Sequence, residues 1–231
     1  MSDQPGMRGS RAIGSARAEP AGRAALVIAH PGHELRVHGW LERTRPVVFV
    51  LTDGSGAGAA SRLPSTTALL ERAAAVPGSI FGRLTDAALY SALLERRSSG
   101  FLALLEELVR ELAALDVSMV AGDAVEGYNP AHDLTRYLID AAVRTLRTRY
   151  RRGVLNCAFP LTGPPDAAAW TSGPRPPLVE RLDDEAFRRK LRAAEAYGEL
   201  DEEVRAVLAT LGPEPFRTEC LAPVGEASSL R

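Results

Sequence analysis

Short, unbroken apolar runs alternate with stretches whose apolar residues recur every three to four positions. AALVIA (24–29) and PVVFVLT (46–52) have no polar alternation and are rich in β-branched residues, so both predict strands buried on two faces. VSMVAG (117–122), VLNCAF (154–159) and FRTECLAP (216–223) predict three more. Between them lie helical patterns. ELRVHGWLER is a short helix, and STTALLERAAAV is a second, closed by Pro77-Gly78. A helix over Asp86–Glu95 precedes FLALLEELVRELAAL (101–115), whose leucines fall at helical spacing. LTRYLIDAAVRTLRTRY follows the third strand. The stretch from Asp183 to Gly212 is helical with a break near Gly198. Pro160 to Pro177 is rich in Pro and Gly and reads as a long loop, in which Trp170 is a candidate lid residue. Strand and helix in alternation mean parallel pairing through right-handed crossovers, which predicts a doubly wound, mostly parallel α/β sheet.

Composition adds little to this. A chain of 231 residues with 45% hydrophobic and 25% charged residues can bury a substantial core in one domain. The formal net charge of −1 gives no reason to expect nucleic acid. The basic residues are almost all arginine, Lys190 being the sole lysine, a skew that reads as base composition. Cys157 and Cys220 lie far apart inside apolar strands, so neither a disulfide framework nor a metal knuckle is indicated. No apolar run approaches the ~20 residues of a membrane span. Residues 1–22 have no apolar targeting core and read as a disordered tail ahead of a single domain over 23–231. The expectation is a cytoplasmic protein of unspecified oligomeric state.

In a doubly wound sheet, ligands sit at the carboxyl ends of the strands. Three polar loops begin there: A29-H-P-G-H-E34, T52-D-G-S-G56 and D123-AVEGYNPAH-D133. They bring together three of the four histidines, His30, His33 and His132. Three imidazoles with one open position are the pattern of a catalytic zinc site. Three satisfied core or surface histidines would read the same way, and spacing alone does not separate the two. His38, further along the first helix, reads as a packing residue.

The loops in this order resemble those of the PIG-L/LmbE-like family of zinc-dependent N-acetylglucosaminyl deacetylases. That family carries AHPDDE, TDG and a later EGGHPDHD-type loop. Here these read AHPGHE (29–34), TDG (52–54) and EGYNPAHD (126–133), and K190-LRAAEAY197 and FRTE219 are similar to its closing helix and strand. The resemblance implies a Rossmann-like three-layer sandwich. It also implies Zn2+, or another divalent transition metal, held by His30, His33 and His132, the middle ligand being an imidazole where the family has a carboxylate. The implied reaction removes an acyl group from an N-acyl amino sugar or related small molecule through a water activated by the zinc.

Two departures stand against that reading. The family's general base is the first aspartate of the first loop, and that position is Gly32 here. The histidine that assists at the reacting amide is replaced by Asn129, which can donate a hydrogen bond to an oxyanion but cannot shuttle a proton. Glu34 and Asp133 are candidate replacement bases, each with a plainer reading as a helix-end or imidazole-orienting carboxylate. Asp53, Arg62 and Tyr128 are candidate substrate contacts. The alternatives are a weakened or inactive relative that binds a sugar or metabolite, and a metal enzyme acting on a different bond.

Overall fold

The computed structural model describes residues 22–56, 60–165 and 176–225. The expected tail (but for Gly22) and Trp170 lie outside the described residues. Among the described residues seven strands form one sheet: β1 (Arg23–Ile28), β2 (Val47–Thr52), β3 (Val76–Leu84), β4 (Val117–Asp123), β5 (Leu155–Phe159), β6 (Leu178–Arg181) and β7 (Thr218–Pro223), in the order β3-β2-β1-β4-β5-β7-β6. The first five pair in parallel, while β7 runs antiparallel to both β5 and β6. The sheet is mostly parallel, as the alternation of elements requires.

The helices are α1 (His38–Thr44), α2 (Leu63–Arg72), α3 (Asp86–Leu94), α4 (Ser99–Ala114), α5 (Pro130–Thr148), α6 (Asp184–Glu195) and α7 (Asp201–Leu211). A 3-10 turn over His33–Val37 leads into α1. Alternate residues of each central strand feed different layers. Ala25, Val27, Val47 and Phe49 pack with Leu108, Leu112, Ile139 and Val143 of α4 and α5. Leu26, Ile28, Val48 and Val50 pack with Trp40, Leu41, Leu69 and Ala193 on the opposite face. Both faces of the sheet are covered, which accounts for the unbroken apolar runs of β1 and β2. No helix among the described residues is long and apolar enough to cross a membrane.

Two elements differ from the expectation. The helix expected to run to Val76 ends at Arg72, and Val76 instead opens β3. Pro77-Gly78, read as a helix stop, lies inside that strand. Proline is tolerated because β3 is an edge strand, and its pairing with β2 is interrupted by two register shifts. Gly78 is required because a Cβ there would meet the Phe49 ring at 2.4 Å. The second difference is β6, four residues on the far edge at the end of the expected loop.

Candidate functional site

The loops after β1, β2 and β4 meet at one end of the sheet. His30 follows β1, and His33 opens the 3-10 turn. His132 lies in the first turn of α5, whose N-cap is Asn129. The ring centres are 5.4 Å apart for His30 and His33, 5.1 Å for His30 and His132, and 4.7 Å for His33 and His132. All three imidazoles expected from the sequence are brought together. His38 is buried apart from them, beside Glu42 at 4.0 Å.

Each ring has its Nδ1 edge on a carboxylate. His30 Nδ1 donates to Thr52 Oγ1 at 2.7 Å and lies 2.9 Å from Asp86 Oδ1. The Thr52 hydroxyl itself donates to the Ala29 carbonyl, so the proton between the two belongs to His30. His33 Nδ1 donates to Asp123 Oδ2 at 3.0 Å, and His132 Nδ1 donates to Glu126 Oε2 at 2.7 Å. With Nδ1 protonated in every ring, Nε2 is the nitrogen left to a ligand. None of these three carboxylates was singled out in the sequence. Their one shared signal is position: Asp86 just past β3, Asp123 ending β4, and Glu126 in the loop after it.

The charge around the imidazoles is mostly negative and buried. The side chains of Asp86, Asp123 and Glu126 are 10%, 0% and 6% exposed. One oxygen of Asp123 and one of Glu126 are buried without a hydrogen-bond partner, Asp123 Oδ1 and Glu126 Oε1, and Asp86 Oδ1 has only the His30 ring beside it. Among the described residues, none of the three is paired with an arginine or lysine. Burying three carboxylates at one place is costly unless positive charge sits among them. Burial pushes the His33 imidazolium down, but Asp123 outweighs it through charge and hydrogen bond, so its pKa is raised. Burial and the neighbouring His33 lower that of His132. Burial opposes ionisation of Asp86, yet His30, Thr52 and the Gly56 amide together hold it well below the usual carboxylate range.

A tetrahedral zinc with Zn–N bonds of about 2.1 Å would hold three imidazole centres about 5 Å apart. The ring spacings and the donor set fit such an ion. Even so, among the described residues no three His, Cys, Asp or Glu side chains already stand as a closed metal cage. The Asn129 amide lies on the remaining nitrogen of His132, Nδ2 to Nε2 at 2.9 Å. Its orientation is set by Oδ1, which accepts from the Ala131 and His132 amides and from the Tyr90 hydroxyl.

The imidazoles line one end of a cavity of about 790 Å3. Of the other residues expected at the site, Asn129, Arg62 and Tyr128 line this cavity. Arg62 lies 3.8 Å from Glu203, and Tyr128 is 64% exposed. Glu34, Asp53 and Asp133 do not line it. Glu34 is fully buried, with Oε2 accepting from Gly32 N and Oε1 from the Thr66 hydroxyl. Burial raises its pKa against those hydrogen bonds. Asp53 accepts from the amide and hydroxyl of Ser55, a local turn. Asp133 accepts from the amides of Glu126 and Gly127, so it shapes the loop, while Glu126 orients the imidazole.

Gly32 has φ 106°, a left-handed conformation, and a Cβ placed on it would lie 2.4 Å from Leu200 Cδ1. The space a side chain at position 32 would use is filled by the leucine preceding α7.

Solved structures share this architecture. The chain is similar to a triple mutant of a deacetylase of the teicoplanin biosynthetic pathway (TM-score 0.60, 15% identity, covering 90% of this chain and 100% of that one). It is also similar to the A40926 pseudoaglycone deacetylase (TM-score 0.55, 18% identity, 90% and 99%). A third is the zinc-inhibited form of a teicoplanin deacetylase (TM-score 0.51, 13% identity, 88% and 100%). At these identities the likeness shows the fold. No family model and no curated protein matches the sequence.

Proposed function

We propose that this chain is a metal-dependent hydrolase of the PIG-L/LmbE type that cleaves the amide of an N-acylated sugar or related small molecule. The observation that carries it is the trio of imidazoles, each tied through Nδ1 to a buried carboxylate, lining a large cavity in a fold shared with deacetylases. The Nε2 atoms of His30 and His33 would hold the ion, and that of His132 would join them once the Asn129 amide gives it up. Bound there, a divalent ion would supply Lewis acidity toward the acyl carbonyl and lower the pKa of water.

The rest of the chemistry falls to the chain. Asp123, Glu126 and Asp86 fix the ring orientations and balance the added positive charge. The Asn129 amide, locked through Oδ1, presents N–H donors toward the reacting centre. With no side chain at Gly32, Asp86 is the carboxylate that both touches the imidazole cluster and lines the cavity. It is therefore the group placed to accept a proton, and its low proton affinity makes it a weak base.

One observation favours a second reading. Leu200 fills the room a base at position 32 would need, which suits a protein that binds its ligand without turning it over. Metal analysis of the purified chain beside His33→Ala, with amine release from a panel of N-acyl glucosamines, separates the two. Stoichiometric metal lost in His33→Ala, together with amine release, is the expected result. Metal without release across the panel leaves the binding reading, and absence of metal overturns the hydrolase.

A further inference from the structure

Helix α7 carries an apolar stripe that the body of the protein covers only in part, Leu208 packing against Leu182, Phe187 and Phe216. No residue of α7 is buried, and Val207 and Leu211 are 40% and 36% exposed. Leu200, Val204, Val207 and Leu208 instead line the cavity that holds the imidazoles. Leu200 touches the Gly32 position in the histidine loop. From there to Leu208 is eight residues, about 12 Å along a helix. Leu35, Leu161, Leu191, Ala194 and Phe216 line the same cavity, with Arg36, Thr162 and Lys190 among them. An apolar channel therefore starts beside the imidazoles and leads away from them.

The charged groups on its walls are already engaged. Arg36 donates to the Pro160 and Gly163 carbonyls, and Lys190 donates to Glu219 and the Arg36 carbonyl. Arg62 faces Glu203. A sugar or peptide extending along this wall would lose its hydrogen bonds to water and find few replacements. A hydrocarbon chain needs none, and it would cover a stripe whose exposure is otherwise unfavourable.

We propose that the channel is an acyl-chain subsite, and that the preferred substrate is an amide bearing an alkyl chain well beyond acetyl. The inference rests on the amide-hydrolase reading of the same cavity, since it places the carbonyl at the imidazoles and the chain along α7. Fatty N-acylation of an amino sugar is the chemistry that would supply such a substrate.

The test is calorimetric binding of N-acetyl, N-hexanoyl, N-octanoyl and N-decanoyl glucosamine, kept below their micelle concentrations, with amine release followed separately. Each added methylene should tighten binding about fourfold until the channel is full. The heat-capacity change should become more negative with chain length. Val207→Asp should flatten the series while leaving N-acetyl glucosamine binding within about twofold. Val207→Ser, which is milder, should flatten it in part. Affinity independent of chain length in the wild type overturns the proposal. So does a concentration-dependent dimer that Val207→Asp disperses without any chain-length effect, which would assign the stripe to a second copy of the chain. A rising series with no amine release keeps the subsite and removes the hydrolase. Release of acetate with a flat series does the reverse.

Discussion

Gly32 and Leu200 form one unit. The glycine holds φ 106°, which lets its amide donate to Glu34 at 2.7 Å, and the leucine packs where a side chain would project. Reintroducing a carboxylate as Gly32→Asp therefore meets two penalties, left-handed backbone and a steric overlap, together about 1–3 kcal/mol. Urea unfolding should show that loss, and amide hydrolysis should not increase. Gly32→Asp combined with Leu200→Ala removes the overlap, keeps the backbone cost, and is the variant in which hydrolysis should rise. Unchanged stability in the single variant would show that the two positions do not touch in solution. The neighbouring Glu34 works on the same loop from the other side. Its carboxylate holds the Gly32 amide and the Thr66 hydroxyl, and Thr66 is 2.7 Å from the Tyr197 hydroxyl.

Among the elements, β7 does more than close the sheet. Glu219 on this strand accepts from the amides of Gly39 and Trp40 at 2.9 and 2.8 Å and from Lys190 Nζ at 2.8 Å, joining α1, β7 and α6. Burial lowers the Lys190 pKa, and Glu219 opposes that shift. Glu219→Ala strands a buried ammonium and two helix-end amides, for an expected loss of about 3–5 kcal/mol. The urea midpoint should fall with the slope unchanged, and a shift near zero would mean that water replaces the carboxylate. The elements that were legible in the sequence are those whose burial is symmetric, such as β1 and β2, and those with a sustained helical stripe, such as α4 and α5. β3 was not, because an edge strand needs neither unbroken apolarity nor freedom from proline. The histidines were legible because two stand three apart in one loop. Their carboxylate partners were not, since Asp86, Asp123 and Glu126 are related to them only through the sheet.

For the whole molecule, the metal site proposed above implies that three buried carboxylates around three imidazoles are stabilised by a bound cation. Zinc at one hundred times its dissociation constant should add about 2.7 kcal/mol. For a chain of this size that is a rise of roughly 5–10 °C in melting temperature, reversed by chelator. His30→Ala, His33→Ala and His132→Ala should each abolish the rise, and a rise that survives all three would place the ion elsewhere.

The strand order also bears on synthesis. β7 follows every other element in the chain yet lies between β5 and β6. As the chain leaves the ribosome at about 5–20 residues per second, β1 to β5 can pair while the region that follows has nothing to join. Until Thr218–Pro223 emerges, β6 has no neighbour and α6 lacks the Glu219 anchor. The oily wall beside the histidines is therefore assembled last. A nascent chain halted before this strand would display α7 and the bare edge of β5 to chaperones and to other chains.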